Sequence, residues 1–243
     1  MNIKKRINPL GLLIEKTTSE VVTQNNIRNG YFTFLNFYSY YIYRKSPEEY
    51  CFFSNIYCDG ILLQKFLKLA NVNTVRQSFD MTSVAPIIFN HVKKNEKKLL
   101  VVGSEEKNVQ IFVEKIKSAY CIERMEYRNG YFKNDKERDF FLQKILKINP
   151  DFIIVGMGTP AQDRFLFELH ELGWEGGAYT CGGFIHQVAS GKLNYYPEIF
   201  NKLNLRWLYR MYDEPKLIKR YFGYYPLSAM LFLWDLLRYK IIK

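Results

Sequence analysis

A carboxylate at the end of an apolar run is the first group in this chain placed to do chemistry. Asp59-Gly60 follows YCFFSNIYC, residues 50–58. An aspartate at the mouth of a buried strand, with a glycine beside it that lets a ligand approach, can serve as a general base. The plainer reading is a helix N-cap, because ILLQKFLKLA follows directly. A second stretch, DFIIVGMGTPAQDRF at 151–165, reads as a buried strand that breaks into a glycine turn and then opens a helix. Such a turn is where α/β proteins hold phosphates and sugars. Asp80, in RQSFDMTSVAP, follows a polar turn and reads as a helix cap or a ligand-facing carboxylate. His91 and His170 read as helix-surface residues. His186, in GGFIHQ, sits after a glycine turn and is a candidate for a site.

Several chemistries are excluded by what the spacing lacks. No G-x-G-x-x-G occurs at 156–162, since Gly156 and Gly158 are followed by Pro160. No G-x-x-x-x-G-K-[ST] occurs anywhere, which argues against hydride transfer and against a P-loop. No D-x-D pair is present to bridge a nucleotide through a metal. The four cysteines, Cys51, Cys58, Cys121 and Cys181, show no C-x-x-C or Cys/His metal spacing. They read as reduced core residues.

These residues need a scaffold, and the middle of the chain describes one. LLVVGSEEKNVQIFVEKIKSAY (99–120) predicts a strand and an amphipathic helix, CIERMEYRNGYF (121–132) a strand and turn, and DKERDFFLQKILKINP (135–150) a helix. A strand at DFIIVGMG, a helix over 162–173 and a strand over 176–184 follow, with less clear strands near 31–36 and 50–57. The alternation predicts a Rossmann-like parallel sheet flanked by helices. In such folds ligands bind beyond the carboxyl ends of the strands. The positions just after each strand are Asn36, Asp59 and Gly60, Gly103, Gly156 to Gln162 with Gly158 among them, and Gly182 to Gln187 with Gly183 among them.

Charge marks the other end of the chain. The 243 residues carry a net charge of +11, which implies an anionic partner. Nine Lys/Arg against three acids lie between residues 202 and 243, so six of the eleven net charges are there. LNLRWLYRMYDEPKLIKRYFGYYP interleaves them with aromatic rings, a pattern suited to an anionic membrane interface or to nucleic acid. The basic N-terminus is broken by Pro9 and Gly11 and predicts no export signal. The longest apolar run, Pro226 to Leu237, contains Asp235 and is too short to span a bilayer.

Taken together, PDFIIVGMGTPAQDRF, CGGFIHQVASGKLNYYP and LNLRWLYRMYDEPKLIKRYF, in that order and spacing, resemble the WecG/TagA/CpsF family of bacterial glycosyltransferases. FLN (34–36), CDG (58–60), RQSFD (76–80), VVG (101–103) and NGYF (129–132) fall at further family landmarks. The resemblance implies inverting transfer of a hexose or N-acetylhexosamine from a UDP-sugar to a polyprenyl-diphosphate-linked saccharide for surface polysaccharide. It implies a catalytic domain over 1–197 and a helical, membrane-associating appendage over 198–243. The protein would then lie peripherally on the cytoplasmic face of the cell membrane. Asp59 falls on the family's base, and Asn36 and Gln162 on its donor-holding residues. Gly60, Asp80, Gly103, Gly158 and Gly183 line the same donor side. Arg210, Arg220 and Arg206 would meet the diphosphate of the acceptor lipid or of UDP. With no D-x-D, cations come from arginine and no metal or other cofactor is expected.

The chain departs from the family pattern at Phe34 (for Thr), Ala161, Asp163, Gln187, Arg206 and Leu217, which leaves the donor sugar open. Two other readings are a basic nucleic-acid-binding protein, which leaves Asp59 and the glycine turns unexplained, and an inactive membrane-docked homologue. A homo-oligomer is left open.

Overall fold

A computed structural model describes residues 7–191, Phe200 and residues 206–242, apart from the side chains of Arg206, Asp213, Lys216 and Ile242. In chain order its elements begin α1 (Pro9–Lys16), β1 (Gly30–Leu35), α2 (Phe37–Tyr43), β2 (Asn55–Cys58), α3 (Ile61–Leu69), α4 (Val84–Lys94) and β3 (Leu99–Gly103). They continue α5 (Glu106–Tyr120), β4 (Met125–Arg128), α6 (Asp135–Ile148), β5 (Phe152–Gly156), α7 (Ala161–Glu171), β6 (Gly177–Thr180) and α8 (Phe184–Ser190). After them come α9 (Arg206–Asp213) and α10 (Tyr225–Ile242). The expected Rossmann-like α/β class, a parallel sheet with flanking helices, is what forms.

The chain divides into two compact units. One comprises Val21–Phe34 and Gln77–Tyr195. Its strands run in the order β1-β6-β5-β3-β4, with every pair parallel. β3 (LLVVG) and β5 (FIIVG) are buried along their whole length, as central strands covered on both faces must be. β3 and β5 pair from Leu99↔Phe152 to Gly103↔Gly156, so both strands end level, at glycine. α5 packs against α8, with Phe112 edge-on to Phe184 at 5.4 Å between ring centroids. The segment expected as a strand over 121–132 pairs only over Met125–Arg128. Cys121 turns left-handed at the end of α5 (φ 52°), and the chain needs the next residues to re-enter the sheet.

The other unit comprises Met1–Glu20, Leu35–Arg76 and Tyr196–Lys243. Its strand is shorter than the sequence predicts. Residues 50–54 precede β2, because Pro47 starts a 3₁₀ turn over Pro47–Tyr50 whose rings pack inward. Tyr50 meets Tyr43 edge-on at 4.9 Å and lies 5.6 Å from Phe53. The aromatic residues that give this stretch its β-propensity are satisfied by that cluster instead. α10 buries Phe232 against Phe37, Tyr40 and Phe66, with ring centroids 6.3, 5.3 and 5.5 Å away. No helix among the described residues is long and apolar enough to cross a membrane.

Candidate active site

In the unit that holds Leu35–Arg76, β2 delivers Asp59. The Asp59 backbone N–H donates to the Leu35 carbonyl at 2.7 Å, which sets Asp59 beside the end of β1 and next to Asn36. The N-cap of α3 is Gly60, not Asp59, so the capping reading does not hold. Asp59 is half-buried. The aromatic hydroxyls of Tyr221 and Tyr225 register its charge. Both are pushed above the usual tyrosine range, first by burial, with Asp59 raising each further and Arg210 opposing it. Tyr221 and Tyr225 lie 4.8 Å apart between ring centroids, and Trp207 lies 6.0 Å from Tyr221. A carboxylate, a guanidinium and two phenols therefore share one electrostatic environment. A carboxylate in such a setting can accept a proton, and a guanidinium can offset the charge of an anion.

The other expected residues of this unit are placed as follows. Asn36 caps α2: its Oδ1 accepts from the Ser39 N–H at 3.1 Å while Ser39 Oγ accepts from the Asn36 N–H at 2.7 Å, a capping box. Arg210 donates through Nη2 to Glu214 Oε1 at 3.3 Å. The Arg220 guanidinium lies 4.4 Å over the Tyr38 ring. Arg206 opens α9, and its side chain lies outside the described residues.

In the other unit the glycine turns gather at the strand ends. Gly103 is required by packing. A Cβ there would stand 2.4 Å from the Gly156 carbonyl oxygen. Gly158 has φ 75° and open space where a side chain would project. Gln162, 3% exposed, lies just inside α7. Its Oε1 accepts from the N–H groups of Gly158 (3.2 Å) and Gly182 (3.1 Å), stapling the turn after β5 to the turn after β6. Gly183 caps α8. Asp80 organises its own turn: Oδ2 accepts from Ser78 Oγ at 2.7 Å and Oδ1 from the Thr82 N–H at 2.8 Å. His186 is exposed with Asn108 3.3 Å from Nδ1. Phe34 faces Phe79 edge-on at 6.0 Å. Its neighbour Thr33 donates to the buried Asp163 carboxylate at 2.8 Å and lies 2.9 Å from the Thr180 hydroxyl. The departure at Phe34 is thus met by a ring, and the one at Asp163 by a buried hydroxyl.

Three residues escaped the sequence reading. Tyr221 and Tyr225 were visible as an i, i+4 pair in YFGYY, which sets both on one helix face. Arg76 pairs with Cys58 in a parallel bridge, adjacent in sequence to Asp59. The Cys58 thiol, pushed up to about 12 by burial, is raised by Asp59 and lowered by Arg76. RQSFD was seen as a landmark, but nothing in the sequence says which strand Arg76 meets. Among the described residues no group of three or more His, Cys, Asp or Glu could hold a metal ion.

The family model described as "Glycosyl transferase WecG/TagA/CpsF family" matches residues 7–243. The chain is similar to a UDP-Gal:alpha-D-GlcNAc-diphosphoundecaprenol beta-1,4-galactosyltransferase of Shigella boydii, 34% identical over 90% of this chain and 92% of that protein. It is also similar to an N-acetylglucosaminyldiphosphoundecaprenol N-acetyl-beta-D-mannosaminyltransferase of Bacillus subtilis, 28% identical over 67% of this chain and 62% of that protein. A Staphylococcus aureus protein of the same description is 29% identical over 52% of this chain and 48% of its own length. With a family match over nearly all of its length and a relative 34% identical over 90% of it, this chain belongs to the WecG/TagA/CpsF family and is a glycosyltransferase.

Proposed function

We propose that the protein transfers a hexose, galactose in the first instance, from its UDP-sugar to a polyprenyl-diphosphate-linked N-acetylglucosamine. Asp59 removes the proton from the acceptor hydroxyl. The freed oxygen bonds to the anomeric carbon as the bond from that carbon to the UDP oxygen breaks, with inversion. UDP departs with the bonding electrons, and Arg210 and Arg220 offset the charge that develops on its diphosphate, without a metal. Asn36 and the glycine turns closed by Gln162 serve the donor. The observation that carries this reading is Asp59 held just past the end of β2 by its N–H bond to the Leu35 carbonyl, with Arg210 acting on the same tyrosines, Tyr221 and Tyr225, as Asp59 does. Galactose is preferred because similarity to the galactosyltransferase extends over 90% of this chain, against 67% for the mannosaminyltransferase of Bacillus subtilis.

The reaction takes place at the cytoplasmic surface of the membrane, with residues 198–243 as the docking appendage. Support comes from α10, whose exposed Leu227, Met230, Leu233, Trp234, Leu237 and Ile241 make an apolar outer face. Arg238 and Lys240 are exposed on the same helix. That combination favours an anionic lipid surface over a nucleic acid.

The test is UDP release from a panel of UDP-galactose, UDP-glucose, UDP-N-acetylglucosamine and UDP-N-acetylmannosamine, with the polyprenyl-linked acceptor, with and without EDTA. Acceptor-dependent, EDTA-resistant release from UDP-galactose is expected. Release only from an N-acetylhexosamine donor would replace the sugar. No release from any donor in the folded protein would remove the whole reading.

A further inference from the structure

α10 has a register problem. Between Pro226 and Leu237 it carries a single ionisable residue, Asp235. Phe232 and Leu236 are buried on one side, while Leu227, Met230, Trp234 and Leu237 are exposed on the other. A helix apolar on both sides has no hydrophobic pattern that fixes its rotation or its axial position. Asp235 breaks the degeneracy. It is 2% exposed, and three donors from α2 and its C-cap converge on its carboxylate. Arg44 grips it in a fork, Nε to Oδ2 at 2.6 Å and Nη2 to Oδ1 at 2.9 Å, and Tyr40 Oη donates to Oδ2 at 2.9 Å. Burying such a pair gains little over well-packed apolar side chains of the same volume, so stability does not account for it. Specification of one arrangement does.

α2 has other connections within this unit. Its N-cap Asn36 follows Leu35, whose carbonyl holds the Asp59 N–H. Tyr38 lies under Arg220. Tyr38 and Tyr41 flank Tyr224, at 5.5 and 5.4 Å between ring centroids. One seven-residue helix thus touches the base-bearing strand end, the arginine of the appendage and the carboxylate of α10.

We propose that Asp235, clamped by Arg44 and Tyr40, is a positioning residue. It fixes the register of α10 on α2, and so fixes both which face α10 presents to lipid and where Arg220 stands relative to Asp59. It touches neither substrate. This inference rests on the lipid-linked acceptor proposed above; its effect falls on the acceptor KM, through the face α10 presents to lipid, and on kcat, through Arg220 at the departing UDP, and not on the UDP-sugar KM.

The test is the triple variant Tyr40→Phe/Arg44→Met/Asp235→Leu, which removes the clamp without leaving a buried charge, compared with Tyr40→Phe alone. Each protein is assayed for UDP release with the polyprenyl-linked acceptor in phosphatidylethanolamine–phosphatidylglycerol vesicles, and its thermal unfolding is measured in parallel. The triple variant is expected to unfold at or above the wild-type temperature. It should keep its UDP-sugar KM within about twofold and raise its acceptor KM about tenfold or more. Tyr40→Phe, which keeps the Arg44 fork, should shift the acceptor KM in the same direction by a smaller factor. An unchanged acceptor KM in the folded triple variant overturns the proposal. So does a parallel loss of stability, kcat and both KM values, because that marks a purely structural pair. If the wild-type protein does not use the polyprenyl-linked acceptor at all, the functional reading fails first, before the variants are compared.

Discussion

The two units assemble their chemistry in different ways. The strand ends of the sheet unit build with backbone: Gly103, Gly156, Gly158 and Gly182 bring main chain close to main chain or leave space beside it. One side chain, Gln162, ties two turns together. The other unit builds with side chains drawn from distant parts of the sequence: Asp59 and Arg76, then Arg210, Tyr221 and Tyr225, and Asp235 reaching back to Tyr40 and Arg44. A backbone-built region should tolerate no added atom where main chain meets main chain, as at Gly103. A side-chain-built region should respond to changes of charge that leave its shape intact.

The sharpest way to break this contrast is Asp59→Asn, which keeps the shape and removes the base. Turnover should fall roughly 10²-fold or more while the UDP-sugar KM stays within about twofold. Steady-state UDP release across donor concentrations measures both. Near-normal turnover would take Asp59 out of the mechanism and leave the side-chain unit without a catalytic group. On the backbone side, Gly103→Ala puts a methyl 2.4 Å from the Gly156 carbonyl oxygen at φ 152°. The atoms it meets are all backbone of Gly156 and cannot swing aside, so the two strand ends must part. A loss of about 3 kcal/mol in urea unfolding is expected, and unchanged stability would show that the strand ends give way easily.

How much of this was legible beforehand follows the same division. The sheet unit is local in sequence: FIIVG, the turn and the start of α7 are contiguous, so apolar run, glycine and helix start could be read together. The strand-end rule then placed Asp59, Gly103 and Gln162 correctly at element boundaries. The long-range pairs could not be read. Nothing in PLSAMLFLWDLL says that Asp235 meets Arg44, 191 residues earlier. Several basic and aromatic residues near Tyr40 would have served equally on charge and size. Gln162 was legible as a residue of the turn after a strand but not as a staple, because that role depends on Gly182, 20 residues on, arriving in the turn after β6. The stretch 50–54 was misread because ring content raises β-propensity whether the rings pack across a sheet or, as here, around a 3₁₀ turn.

Gln162 offers a finer cut. Gln162→Leu leaves the N–H groups of Gly158 and Gly182 without their shared acceptor, at a cost of about 1–3 kcal/mol in stability. The UDP-sugar KM should rise roughly tenfold as the turns loosen. Gln162→Glu keeps an oxygen for both donors and should retain most of the stability. If Gln162→Leu keeps the wild-type unfolding midpoint and loses only donor affinity, Gln162 acts by direct contact and the sheet unit is not a backbone-built region after all.

The smallest effect concerns pH and only the sheet unit. His91 lies 5.5 Å edge-on from Phe152, at the end of β5 opposite the glycine turn. Burial lowers its affinity for a proton, and Lys97 and Lys94 lower it further. With the folded pKa below the unfolded one, the contribution of His91 to stability is complete above the unfolded value, ~6.5. It declines as pH falls toward and through the folded value, because the unfolded chain takes up the proton first. His91→Gln removes that proton uptake, so the unfolding midpoint should fall less steeply than in the wild type as pH drops below about 6.5. The pH dependence of turnover, which the proposed base Asp59 would set, should not move. A matched shift in both profiles would mean that the two regions do not act independently, and that a proton at the closed end of the sheet is felt where Asp59 works.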